Sequence, residues 1–109
     1  MSPAWLLVLG AIVAEAGAAL GLRQSNGFSR PLWACFALLA FALAFYLVSR
    51  ALLSLPMSLV YPVWAGGGTA TVATIGVALL GERANLGKLG GVALVVAGIV
   101  ILNLASGGN

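Results

Sequence analysis

Glu15 is the only acidic side chain in a run of small and apolar residues, 3–22, that holds no other charge. A carboxylate at bilayer depth costs roughly 2.5–3.5 kcal/mol on insertion scales, so it is kept where it faces a bundle interior or wet cavity and can bind a proton or a cation. The chemistry on offer is therefore exchange of a proton for a cation. A purely structural ion pair fails on depth, because Arg23 lies eight residues, about 12 Å, further along a helix. Arg50, Arg83 and Lys88 belong near the membrane interfaces. On a helix Glu15 shares its face with Val8, Ala11, Ile12, Ala18, Ala19 and Leu22. Ala11 and Ala18 leave room beside the carboxylate for a substrate. None of these neighbours donates a hydrogen bond from its side chain, so desolvation favours the neutral acid, as suits a group that exchanges protons near neutral pH.

A second set of residues is suited to cations. Tyr61 and Trp64, three apart, share a helix face and offer electron-rich rings, an attraction of about 2 kcal/mol when the cation is desolvated. An interfacial aromatic belt is the alternative, and it suits Trp5 and Trp33 near span ends better than Trp64. Between and after these rings lie Pro62, Gly66, Gly67 and Gly68. The proline removes a helical donor and frees the carbonyl of Ser58, and the glycines weaken the following turn, so this stretch reads as a hinge.

The elements that position these groups follow from composition. The 109 residues are 62% hydrophobic and 6% charged, with no histidine and a mean hydropathy of +1.15. The preferred solvent of such a chain is lipid. The charged residues gather in three gaps, Arg23 and Arg30 at the first, Arg50 at the second, Glu82, Arg83 and Lys88 at the third, leaving Glu15 alone. They divide the chain into four spans at 4–22, 31–49, 57–80 and 86–105, each near the ~20 residues a helix needs to cross ~30 Å of hydrocarbon. Helices rather than barrel strands are the expectation, since segments such as 92–102 show no alternation. The fold class is an all-α membrane protein of four transmembrane helices in one domain, 1–109, with short connections that make sequential helices antiparallel.

Ala14-Glu15-Ala16 has the small-x-small form of a signal-peptide cleavage site, but no Lys or Arg precedes the apolar run and the run continues to Leu22. The single cysteine, Cys35, reads as an apolar filler inside the second span. One cysteine without histidine builds no metal site, and no cofactor is expected. A formal charge of +3 reflects loop residues near headgroups and points to no nucleic acid. One glutamate without a second acid, base or nucleophile makes no catalytic set, so the chain does not read as an enzyme.

Four short helices cannot enclose a sizeable polar cavity, and self-association is the remedy. The fourth span carries Gly91 and Gly98 seven apart, with Ala97 beside the second. Small residues at such spacing let membrane helices approach closely, which marks this stripe as the dimer contact; glycine is also simply frequent in membrane helices.

Taken together, the motifs resemble the small multidrug resistance family of proton-coupled exporters. The resemblance rests on Ala14-Glu15, on Asn26-Gly27-Phe28-Ser29-Arg30, on Phe45, and on Tyr61-x-x-Trp64-x-Gly66-x-Gly68. Gly81-Glu82-Arg83 and the Gly91 to Gly98 stripe add to it. It implies a multi-pass protein of the bacterial inner membrane that acts as an antiparallel dimer, with both copies of Glu15 facing one chamber where protons and a cationic small molecule compete. A homodimer is implied, with a heterodimer as the alternative. By the same resemblance Phe41 and Phe45 belong with Tyr61 and Trp64 in substrate binding.

The departures bear on subtype. Phe41 stands where many multidrug members carry tyrosine, and Pro62 replaces a small residue. Guanidinium exporters of the family resemble one another in a tryptophan three residues after the glutamate and a serine before the Phe-Tyr pair; here these are Ala18 and Ala44. A guanidinium ion presents five or six N–H donors and needs acceptors that alanine lacks. The expected cargo is a hydrophobic cation such as a quaternary ammonium compound. A guanidinium exporter, a flippase-type subunit without proton coupling and a structural membrane subunit are the alternatives.

Overall fold

A computed structural model of the chain describes residues 3–106. Four helices follow one another: α1 (Pro3–Gln24), α2 (Pro31–Ala51), α3 (Met57–Leu79) and α4 (Leu86–Ala105). All four are long and apolar enough to cross a membrane. Their bounds depart from the expected spans by at most two residues, since α1 and α2 each run two further and α3 stops one earlier. The ends of the expected 1–109 domain, residues 1–2 and 107–109, lie outside the described residues.

Local chemistry sets the ends. Pro31 opens α2, where its missing N–H costs nothing. Asn85 caps α4, its Oδ1 accepting from the Lys88 backbone N–H at 2.8 Å. Gly81, with φ +71°, turns the chain out of α3 in the left-handed region that favours glycine, and the Glu82 N–H then donates to the Gly76 carbonyl at 3.1 Å.

The described residues fall into two compact units, one up to Ser54 and the other from Leu55 onward. The first is the α1–α2 hairpin. The helices run antiparallel and touch at glycines: a Cβ on Gly21 would meet the Phe36 ring at 2.6 Å, and one on Gly10 would meet Leu47 Cδ1 at 3.2 Å. The connection between them is a compact knot in which Asn26, Gly27 and Phe28 all have positive φ. Such backbone is unfavourable for phenylalanine. Fully buried Ser25 holds it, its Oγ donating to the Leu22 carbonyl at 2.6 Å and accepting from the Phe28 N–H at 3.2 Å.

The second unit is the α3–α4 pair, in contact at Gly66, where a Cβ would meet Val95 Cγ1 at 3.0 Å and Ile99 Cδ1 at 3.1 Å. Within α3 the hydroxyls of Thr69, Thr71 and Thr74 donate to the carbonyls of Ala65, Gly67 and Ala70 at 2.7–2.8 Å, which satisfies them inside an apolar helix. No described residue of α4 is buried within the chain.

Candidate functional site

Glu15 stands midway along α1, half-buried, and no hydrogen bond or ion pair with another described residue ties its carboxylate down. Its position follows from helix geometry. At about 100° per residue Glu15 lies within roughly 60° of the buried face of α1 and roughly 140–160° from Gly10 and Gly17. Its own side carries Ala4, Val8, Ala11 and Ala18, all buried. Ala11 and Ala18 are fully so.

On α2 the rings of Phe41 and Phe45 stack, with centroids 6.4 Å apart and planes 26° apart. Ala44 is fully buried. The other expected substrate-binding rings, Tyr61 and Trp64, belong to the second unit. There Tyr61 and Trp64 form a tilted pair with centroids 5.8 Å apart and planes at 46°. Tyr61 is exposed and Trp64 half-buried. The three-residue spacing thus brings the two rings together as one aromatic surface. Glu15 and the Phe41–Phe45 stack lie in the first unit, and the Tyr61–Trp64 pair lies in the second.

α3 remains one continuous helix through Pro62, Gly66, Gly67 and Gly68. Gly66 serves close packing against α4, a use that the reading of this stretch as a hinge did not include. On α4 Gly91, Gly98 and Ala97 are exposed, and a Cβ at Gly91 or Gly98 would meet nothing within 4 Å, so the stripe presents an open face. Among the described residues no group of His, Cys, Asp and Glu could hold a metal ion.

Sequence reasoning missed two features. Ser25 reads as an ordinary turn residue, yet it is the anchor of the first connection; a serine followed by Asn-Gly was the available signal. Lys88 reads as a loop charge, yet it lines a groove between α3 and α4. Alternation of small residues on α3 with large ones on α4 was the signal there.

The family model described as Small Multidrug Resistance protein matches residues 3–95. The chain belongs to the small multidrug resistance family. It is a multi-pass protein of the bacterial inner membrane from a family of transporters, not an enzyme. It is 40% identical over 103 residues to the guanidinium exporter of Yersinia pestis, covering 94% of this chain and 99% of the relative. Identity to the quaternary ammonium compound-resistance protein QacE of Escherichia coli is 34% over 102 residues, covering 94% and 93%. To the nicotine metabolites export pump subunit NepB of Paenarthrobacter nicotinovorans it is 40% over 103 residues, and there the chain spans only 62% of the relative's length.

Proposed function

We propose that this family member is a proton-coupled antiporter, a single four-helix transporter domain that exports hydrophobic cations such as quaternary ammonium compounds. The observation that carries the reading is Glu15, the one acidic side chain within any of the four apolar spans. In the working assembly two copies pair in antiparallel fashion through the Gly91, Ala97 and Gly98 face of α4. The Glu15 carboxylates then hold either protons or a cation. Cation binding displaces protons; protons arriving from the other side release the cargo. Coupling needs no further device, because a site that cannot hold both ligands at once exchanges them. Tyr61, Trp64, Phe41 and Phe45 supply apolar and ring surface to the cation, Ala11 and Ala18 the room, and Pro62 with Gly66, Gly67 and Gly68 the flexing of α3.

Identity to a named guanidinium exporter, 40% over nearly the whole of both chains, favours a second reading, export of guanidinium. Against it stand Ala18 and Ala44, buried side chains with no acceptor to offer five or six N–H donors. A competition assay in proteoliposomes with an imposed proton gradient separates the two. A tetraphenylphosphonium-like cation is expected to compete far more strongly than guanidinium, and the reverse order would assign the chain to guanidinium.

The aromatic pair is tested separately. Trp64→Ala and Tyr61→Ala should each weaken cation binding by about 0.5–2 kcal/mol, while Trp5→Ala should change little. Calorimetric titration of the detergent-solubilised protein measures this directly. Equal losses at Trp5 and Trp64 would mean that the rings act as membrane anchors.

A further inference from the structure

Beyond Gly66, where Val95 and Ile99 close on α3, the two helices part toward the 80–85 connection and leave a cleft that opens on both faces. One opening, of about 380 Å³, is lined by Glu82 and by Gly91 of the glycine stripe. The other, of about 460 Å³, has Ala73, Val77 and Ala78 of α3 on one wall and Leu89 and Val92 of α4 on the other, with Lys88 at its outer end. No carboxylate lines this second groove.

We propose that the larger groove between α3 and α4 binds an anionic phospholipid, an acyl chain lying between the alanine wall and Leu89 and Val92 while Lys88 takes the headgroup phosphate. Depth fits. Leu86 to Val92 is six residues, about 9 Å along α4, so the groove reaches from headgroup level well into one leaflet of a hydrocarbon core ~30 Å thick. Charge fits as well: the Lys88 ammonium donates one of its three N–H groups to the Arg83 carbonyl and keeps the others for a phosphate, with the exposed Arg83 nearby in sequence. Lys88 borders both openings, whereas Glu82 lines only the other one, its carboxylate folded onto Gly76. The choice of lipid over a second copy of the chain follows from the faces of α4. Leu89 lies roughly 160–180° around the helix from Gly91 and Gly98, so pairing through the glycine face leaves this groove to the bilayer.

Native mass spectrometry of the detergent-solubilised protein, titrated with phosphatidylglycerol or with phosphatidylcholine of the same acyl chains, tests the assignment. Phosphatidylglycerol should be retained more tightly. Lys88→Gln should weaken it about fivefold, the worth of one basic residue near an anionic surface, and leave phosphatidylcholine unchanged. Val92→Trp, which fills the groove, should remove retained lipid and leave the oligomeric state as it was. Equal retention of the two lipids by the unaltered protein would overturn the proposal, as would Lys88→Gln with undiminished phosphatidylglycerol binding. Loss of the oligomer rather than of lipid in Val92→Trp would give the groove to a second copy and overturn it too.

Discussion

Glu15→Gln is expected to reduce proton-coupled transport to the background of empty liposomes while the protein stays folded. Glutamine keeps the shape and much of the hydrogen-bonding capacity of the side chain but neither titrates nor carries charge, so it removes the proton site and the cation's counter-charge in one step. Insertion and folding should not suffer, because the substitution withdraws an ionisable group whose presence at mid-bilayer costs roughly 2.5–3.5 kcal/mol. No described residue depends on the carboxylate for a hydrogen bond or ion pair, so nothing else loses a partner. Substrate-driven proton release, read from an enclosed pH dye, is the measurement, with circular dichroism and size-exclusion profiles reporting the fold. Glu15→Asp, one methylene shorter, should retain part of the activity. Full transport by Glu15→Gln would remove the mechanism altogether.

The helices were legible because apolar length and charge placement are one-dimensional signals. Four uncharged or nearly uncharged stretches separated by Arg23–Arg30, Arg50 and Glu82–Lys88 locate four spans, and Pro31 and Asn85 announce two helix starts. Ends were less legible. α1 and α2 each continue through an arginine in the last turn, Arg23 and Arg50, where a charge reads as loop although it suits the negative end of a helix dipole. For the site, spacing alone paired Tyr61 with Trp64, because residues three apart on a helix are neighbours. What periodicity could not reveal is close approach. Gly10 and Gly21 carry no local signal of the Leu47 and Phe36 side chains against them, and Gly66 reads as part of a hinge until Val95 and Ile99 close on it. Such contacts join residues about 15 to 37 positions apart, which no local pattern records. The knot at 25–30 is a related case. Its three left-handed residues depend on the buried Ser25 hydroxyl, and a burial of that kind belongs to tertiary packing.

Orientation carries the other large expected effect. Arg23, Arg30, Arg83 and Lys88 fall in or beside the first and third connections and share one side of the membrane, against Arg50 alone at the second. By the positive-inside rule this bias favours the first and third connections in the cytoplasm. An antiparallel homodimer needs both orientations, and it is compatible with so few charges only if no single one of them dominates insertion. The expected result is therefore dual labelling when the chain is produced alone. Single cysteines at Gln24 and Ser106, in a Cys35→Ala background, report opposite sides of the membrane. Gln24 is chosen over its neighbour because it is exposed, whereas Ser25 is fully buried and holds the first connection together. Each cysteine should react with an impermeant maleimide from both sides, and Arg50→Ala, which leaves the bias unopposed among side chains, should convert the pattern to one-sided labelling. One-sided labelling of both cysteines in the protein with Arg50 intact would rule out the antiparallel homodimer. The chain would then pair in parallel with a second copy or need a partner of opposite charge bias.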